Sequence, residues 1–292
     1  MTRTFASLAL SSALAVSMAG LPAFAQAPAP ETDQPSSATE TPATTTVPAG
    51  QGATVEVGPA AAAAPKSGPD AWMDTPDSWA TFNGDLMAQK YAPASEITPE
   101  NVGKLQKLWE YHTGDVSDGS GDVPTSVWSA TPLFVNDTLY LGTPFYRIVA
   151  LEPDTGREKW TYDSHAVLEA LTQPALKNRG VAYWQEDEPA SGETCQKIVY
   201  IGTMDAKLHG VDADTGAPCA GFGDGGVVDV NQWNTVNDKW PLSLLQPPTV
   251  YHDTLFVGWA GKDWTDSAGP PGTVFALDAR TGALKWMFHA LP

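Results

Sequence analysis

Short runs in which large apolar residues alternate with small or polar ones recur along the chain, as at Leu139/Leu141 and Ile148/Ala150. Their apolar positions are β-branched, leucine or aromatic, and a period of two predicts half-buried β-strands. The runs are punctuated by a repeat. Ala150-Leu-Glu-Pro-Asp-Thr-Gly-Arg-Glu-Lys-Trp160 returns as Gly210-Val-Asp-Ala-Asp-Thr-Gly-Ala-Pro-Cys-Ala220 and as Ala276-Leu-Asp-Ala-Arg-Thr-Gly-Ala-Leu-Lys-Trp286, at offsets of 60 and 66 residues. Tyr140-Leu-Gly-Thr143 and Tyr200-Ile-Gly-Thr203 keep the first offset, and Asp137-Thr-Leu-Tyr-Leu-Gly142 matches Asp253-Thr-Leu-Phe-Val-Gly258. A unit therefore reads as strand, turn, strand, Asp/Thr/Gly turn, strand. The turn glycine can take a positive φ, and the Asp or Thr side chain can bond nearby backbone groups.

The closing tryptophan is too large for a turn ornament and predicts a plug between neighbouring sheets, burying ~150–250 Å². Units of about 40–65 residues with four strands each predict an all-β chain, a β-propeller of four-stranded blades. Trp109 stands 51 residues before Trp160 and is expected to close a further unit. Val167–Cys195, holding Asn178-Arg-Gly-Val-Ala-Tyr-Trp184, reads as an insertion, and Gly223–Pro241 as a long loop. From about residue 79 the chain holds about four units at this pitch. The expectation is the front half of a longer protein, because a propeller hides its sheet edges by closing its last blade on its first.

The first part of the chain is different. Met1–Ala25 has Arg3, an apolar stretch Leu8–Leu21 and Ala23-Phe-Ala25, the features of a cleaved secretory signal rather than a membrane anchor. Residues 26–70 are rich in Ala, Pro, Thr and Gly and are expected to form a disordered tether, with the folded part at 71–292. The mature chain is expected in the periplasm, without a membrane span.

Composition narrows the chemistry. The formal net charge of −18 over 292 residues argues against nucleic acid, whose phosphates require Lys and Arg. Two cysteines, Cys195 and Cys219, exclude a cysteine-rich zinc site, and no Cys-x-x-Cys-His for covalent haem is present. His112, His165, His209, His252 and His289 show no metal-ligand spacing and are read as non-catalytic. Gly223-Asp-Gly-Gly226 reads as a turn rather than a phosphate loop, and Asp115–Asp122 as a solvated acidic loop.

Trp79-Ala-Thr-Phe-Asn-Gly-Asp, Tyr91-Ala-Pro, Ile97-Thr-Pro-Glu-Asn-Val, Asn178-Arg-Gly-Val-Ala-Tyr-Trp and the Thr-Gly/Trp repeats together resemble the pyrroloquinoline quinone (PQQ) dependent dehydrogenases. The glucose/quinate/shikimate branch is the most similar. The resemblance covers about residues 79–292 and implies the first half of an eight-bladed propeller. It implies PQQ near the axis with calcium (or magnesium) as Lewis acid, and hydride transfer from a substrate hydroxyl to the quinone. It also implies an electron acceptor such as ubiquinone or a cytochrome.

Carried over by position, the resemblance makes Arg179 the partner of a cofactor carboxylate, which a guanidinium suits. It makes Thr203 a hydrogen-bonding contact to the cofactor and Gly261 a small residue near the quinone edge. Asp263 falls at the acidic metal ligand, a hard oxygen donor, with Asp266 as the fallback. Ser129 stands where many members have Glu, and Gln173-Pro174 where some alcohol-oxidising members have adjacent cysteines. The family's catalytic aspartate and second metal ligand fall after residue 292, so no catalytic residue is assigned and this stretch alone is expected to be inactive. Cysteines at similar places occur in the glucose/quinate branch, and with export they imply a structural Cys195–Cys219 disulfide.

Two functions follow. One is a periplasmic quinoprotein dehydrogenase oxidising a sugar, polyol, cyclitol or alcohol. The other is a cofactor-free propeller that binds proteins as a scaffold in the cell envelope; such scaffolds normally carry a lipidated cysteine, which is lacking here, and have no need of Arg179.

Overall fold

The alternating runs form strands in the computed structural model, which describes residues 78–92, 94–170, 175–188, 190–234, 242–260, 270 and 272–290. The signal-like segment 1–25 and the tether 26–70 lie outside the described residues, as do Gln173, Pro174 and Trp240. Strands β1 (Ser126–Thr131), β2 (Leu133–Val135), β3 (Thr138–Gly142), β4 (Arg147–Leu151) and β5 (Glu158–Asp163) come first. They are followed by β6 (Leu176–Gly180), β7 (Ala182–Gln185), β8 (Lys197–Gly202), β9 (Lys207–Asp212) and β10 (Val227–Asp229). The last are β11 (Thr249–Tyr251), β12 (Thr254–Val257), β13 (Thr273–Asp278) and β14 (Leu284–His289). Strands β2–β5, β7–β10 and β11–β14 form three four-stranded antiparallel sheets, each in sequence order. They are the expected blades. Strands β1 and β6 pair in parallel and lead into β2 and β7.

Each Asp/Thr/Gly turn closes on its own side chains. Asp212 Oδ1 accepts from the Thr215 amide at 2.9 Å and from its hydroxyl at 2.8 Å, and Asp278 Oδ1 accepts the same pair from Thr281 at 2.9 Å each. Gly156, Gly216 and Gly282 have φ of +67°, +75° and +71°, and each donates its N–H to the carbonyl four residues back. A Cβ there meets an aromatic ring or a core methyl. On Gly156 it lies 2.4 Å from the Trp109 ring, and on Gly216 2.8 Å from the Trp160 ring. Trp109 Nε1 donates to Pro153 O at 2.8 Å and Trp160 Nε1 to Ala213 O at 3.0 Å. These two carbonyls occupy the same place in consecutive repeats. The plug reading holds for both rings, although the segment around Trp109 forms no strand among the described residues.

The second unit has Ala220 at the plug position, and other residues do the work. Phe222 and Val228 cover Gly282, and the buried Tyr200 hydroxyl donates to Ala279 O, the third equivalent carbonyl, at 2.6 Å.

Two readings of the sequence are corrected. Val167–Cys195 is not an insertion: β6 and β7 lie within it, and β7 is the inner strand of the second sheet. Gly180 to Trp184 are all buried, and a strand covered on both faces shows no alternation to read. Gly223–Pro241 is not one long loop either, because β10 and a 3-10 turn at Val230–Trp233 lie within it. Asp229 caps that turn, accepting from the Asn231 amide at 2.9 Å.

The expected disulfide is present. Cys195 and Cys219, with Cα atoms 5.7 Å apart, close a separation of 24 residues and tie the β7–β8 connection to the turn after β9. A loop of this size contributes about 3 kcal/mol.

Between the first two sheets, His209 on β9 is buried and its Nδ1 lies 2.9 Å from the Tyr162 hydroxyl on β5. Burial pushes the imidazole down to about 4, with Lys207 and His165 adding to the effect and Asp205 opposing it.

Two predictions follow from this packing. Gly216→Ala should destabilise by ~2–4 kcal/mol, because the new methyl meets both the positive φ and the indole. Gly192→Ala, where φ is +84° but nothing stands within 4 Å, should cost less. Urea unfolding followed by tryptophan fluorescence measures both; equal losses would show that Trp160 does not seat on Gly216. His209 is harder to protonate folded than unfolded. Its contribution is therefore complete above the unfolded value and is lost as pH falls from 6.5 towards 4, by about 3 kcal/mol. His209→Val, matching Val149 one repeat earlier, should flatten this part of the stability-against-pH curve.

Candidate cofactor site

Three inner segments of the chain meet beside the first two sheets. Strand β1 pairs with β6 in the register Ser126↔Leu176, Val127↔Lys177, Trp128↔Asn178 and Thr131↔Gly180. The third segment is 242–245. Its Leu245 carbonyl accepts the Arg179 amide at 3.1 Å, and its Leu244 amide donates to Thr203 O at 2.9 Å. Arg179 and Thr203, singled out separately in the sequence, are thus brought to consecutive residues of one strand-like segment. Ser243 pairs with Ala260 through two backbone bonds of 2.8 and 3.1 Å, so the chain enters the same cluster immediately before Gly261. Gly261, Asp263 and Asp266 lie outside the described residues.

On β6, Leu176, Asn178 and Gly180 are buried and Lys177 and Arg179 half-buried, so the two cations share the opposite face. The other described arginines all have carboxylate partners: Arg147 with Asp115, Arg157 with Glu152 and Arg280 with Glu186. The Arg179 guanidinium has none among the described residues. A guanidinium presents a fixed fork of donors suited to a carboxylate, so this face can receive an external anion.

Thr203 is fully buried, and its hydroxyl serves a turn. It donates to Asp205 Oδ1 and accepts from the Lys207 amide at 3.1 Å. Thr143 does the same one repeat earlier, accepting from the Arg147 amide at 3.1 Å. Ser129, at the position where the resemblance leads one to expect Glu, donates its hydroxyl to Asn178 O at 3.1 Å and so braces β1 against β6.

Sequence reasoning missed two features. Asn178 is 1% exposed, and its side chain donates to Gly202 O on β8 and accepts from the Gly180 amide on its own strand; its signal was only that it precedes Arg-Gly. Asp115 is not part of a solvated loop. It is buried, accepts from Arg147 Nε at 2.9 Å and also from Nη2, and thereby raises the Arg147 guanidinium further. The Thr113 carbonyl accepts from the same Nη2. This buried pair fastens the segment after Trp109 to β4. No group of three or more His, Cys, Asp or Glu that can hold a metal occurs among the described residues.

The entry segment also packs here. Trp79 exchanges two backbone bonds with Phe134 on β2, and Phe82 lies 3.7 Å from where a Cβ on Gly180 stands. A cavity of about 370 Å³ separates this segment from β7 and 246–250, lined by Thr81, Asn83, Asp85, Tyr183 and Gln246.

Comparison with known proteins gives the same picture. Residues 79–292 match the family described as the PQQ glucose/ethanol/alcohol dehydrogenase β-propeller domain. The chain is 31% identical over 233 residues to the glycerol dehydrogenase large subunit of Gluconobacter oxydans (strain 621H), covering 79% of this chain and 30% of that protein. It is 30% identical over 227 residues to the quinate/shikimate dehydrogenase (quinone) of Acinetobacter baylyi, covering 72% of this chain and 27% of that protein. Among solved structures, a quinohemoprotein alcohol dehydrogenase of Pseudomonas putida HK5 superposes with a TM-score of 0.59 at 27% identity, over 76% of this chain and 28% of that one. The chain thus spans less than a third of the length of these relatives. With the three blades, the aromatic-on-glycine docking and the match over 79–292, the chain belongs to the PQQ-dependent dehydrogenase β-propeller family.

Proposed function

We propose that the chain forms the first blades of a periplasmic quinoprotein dehydrogenase that oxidises a polyol, cyclitol, sugar or alcohol. The observation that carries this reading is Arg179: an arginine on the inner strand pair, in a strongly acidic chain, with no carboxylate partner among the described residues. PQQ is a tricarboxylate, so the face carrying Lys177 and Arg179 fits it in charge and in donor geometry. When bound, PQQ supplies the electrophilic carbonyl that accepts hydride from the substrate carbon, polarised by a divalent cation.

The roles of the chain's own residues follow. Arg179 holds a cofactor carboxylate and fixes the ring's position. Thr203, the second contact the family resemblance implies, is held beside that arginine by the Leu244–Leu245 segment, and its hydroxyl keeps acceptor capacity after serving the Lys207 amide. Gly261 gives the cofactor edge close approach, and Asp263, with Asp266 as the fallback, supplies a hard oxygen to calcium or magnesium. Electrons leave to ubiquinone or a cytochrome. The signal-like N-terminus and the disulfide both fit an oxidising compartment outside the cytoplasm. No helix among the described residues is long and apolar enough to cross a membrane.

The test is cofactor affinity. Arg179→Ala should weaken PQQ binding by about tenfold or more in the presence of calcium, and Arg179→Lys by less, since it keeps charge but loses the fork. Equilibrium dialysis of PQQ against the protein measures this. No binding by the unaltered full-length protein that contains these blades would instead favour a scaffold role.

A further inference from the structure

Asn178 is a buried amide at a place where the next repeat uses a leucine. A Cβ on Gly142, at the end of β3, lies 2.2 Å from Asn178 Oδ1. A Cβ on Gly202, at the end of β8, lies 2.5 Å from Leu244 Cβ. Gly142 and Gly202 are equivalent in the repeat, and so are the two wedges: Asn178 fills the space over the first glycine and Leu244 over the second. The contacts differ in their atoms: Asn178 meets the first glycine with its amide oxygen, Leu244 the second with its Cβ and backbone carbonyl, so covering such a glycine does not require an amide. A buried amide is costly unless bonded, so its presence calls for something leucine cannot do.

What it does is hold the backbone on either side of Arg179. Asn178 Oδ1 accepts from the Gly180 amide at 2.8 Å, a local i to i+2 bond spanning Arg179. Gly180 itself has φ +134°, and a Cβ there meets Thr131 O at 3.0 Å, so the C-terminal side of Arg179 is held in a conformation suited to glycine. Asn178 Nδ2 donates to Gly202 O at 3.4 Å, the residue before Thr203. One side chain thus fastens the residue next to each of the two candidate cofactor contacts.

We infer that Asn178 is the positioning residue for Arg179: its amide fixes the 179–180 peptide so that the guanidinium stands on the cofactor-facing side of β6, in register with the Thr203 turn. This rests on the cofactor reading above. A side chain that merely filled the core would contribute stability and no coupling to Arg179.

A double-mutant cycle on PQQ affinity separates the two, with calcium present and folding followed by urea unfolding. Asn178→Leu, which reproduces the next repeat, should weaken PQQ binding by about tenfold. In an Arg179→Ala background the same substitution should cost no more than about threefold, the part carried through Gly202 and Thr203. Asn178→Ser, whose hydroxyl can accept from the same amide, should stay within about threefold of the unaltered protein and serves as the probe if the leucine variant does not fold. Without PQQ, hydrogen exchange at the Gly180 amide should be about tenfold faster or more in Asn178→Leu. Equal loss of affinity in the presence and absence of Arg179 overturns the inference, as does unchanged affinity in Asn178→Leu while Arg179→Ala binds weakly. Unchanged affinity in Arg179→Ala alone is a distinct result: it removes the cofactor reading, and the inference with it.

Discussion

The fold depends on an aromatic ring laid on a glycine that has no room for a side chain. In the first two docked turns an indole covers the glycine and its N–H bonds the carbonyl three residues earlier. The interaction joins two demands at one place. The glycine is needed because the chain turns with positive φ, and the same missing Cβ leaves the slot that the ring fills. The hydrogen bond then fixes the ring's direction, so the contact sets the placement of one sheet on the next as well as their cohesion. The third turn shows which part is essential. With Ala220 at the plug position the indole bond is gone, Phe222 and Val228 fill the slot, and Tyr200 keeps the bond to Ala279 O that Tyr140 makes to Ala213 O one repeat earlier, so what survives is the filled slot and the tyrosine bond.

This docking accounts for the position of the candidate site. Sheets held by their outer strands and lower turns leave their inner strands to meet each other, and β1, β6 and 242–245 do so through backbone bonds and a few buried side chains. β6 is buried on one face and half-open on the other, and the residues of its open face stand on a frame fixed by backbone bonds. Arg179 and Thr203 belong to different strands of the second unit, yet both are anchored to the third unit through Leu244 and Leu245. A change in blade packing is therefore transmitted to the relative position of both contacts.

The repeat made the blades legible, and the turns behave as their residues dictate: Asp212 and Asp278 bind the Thr amide and hydroxyl, and Tyr140 and Tyr200 fall on paired strands. What escaped was whatever departs from the period of two. Gly180–Trp184 lacks alternation because it is buried from both sides, and β6 before it puts Asn178 and Gly180 rather than large apolar residues at two of its buried positions, so two strands read as an insertion. Val227–Asp229 is too short to show a period at all. Asp115 stood among other acids and Arg147 is 32 residues away in sequence, so nothing local marked a buried pair. For the site, Arg179 was legible through its flanking asparagine and glycine, whereas the reason for those flanks, the bond across Arg179, appears only once Gly180 has a backbone conformation.

The electrostatics of the chain sharpen the meaning of that arginine. With 34 acidic residues against 16 Lys and Arg, a cation on this protein has many carboxylates to find, and Arg147, Arg157 and Arg280 have each found one. A half-buried guanidinium is partly desolvated, and desolvation makes an internal partner more valuable. Holding Arg179 away from every carboxylate among the described residues therefore works against the general tendency of the molecule. The frame that does so is specific: glycine on one side, a bonded asparagine on the other, and a backbone bond to Leu245. A charge kept apart at that cost is best accounted for by an anion that arrives from outside, and the acid excess elsewhere leaves this face among the few places on the chain where an anion of several carboxylates meets attraction.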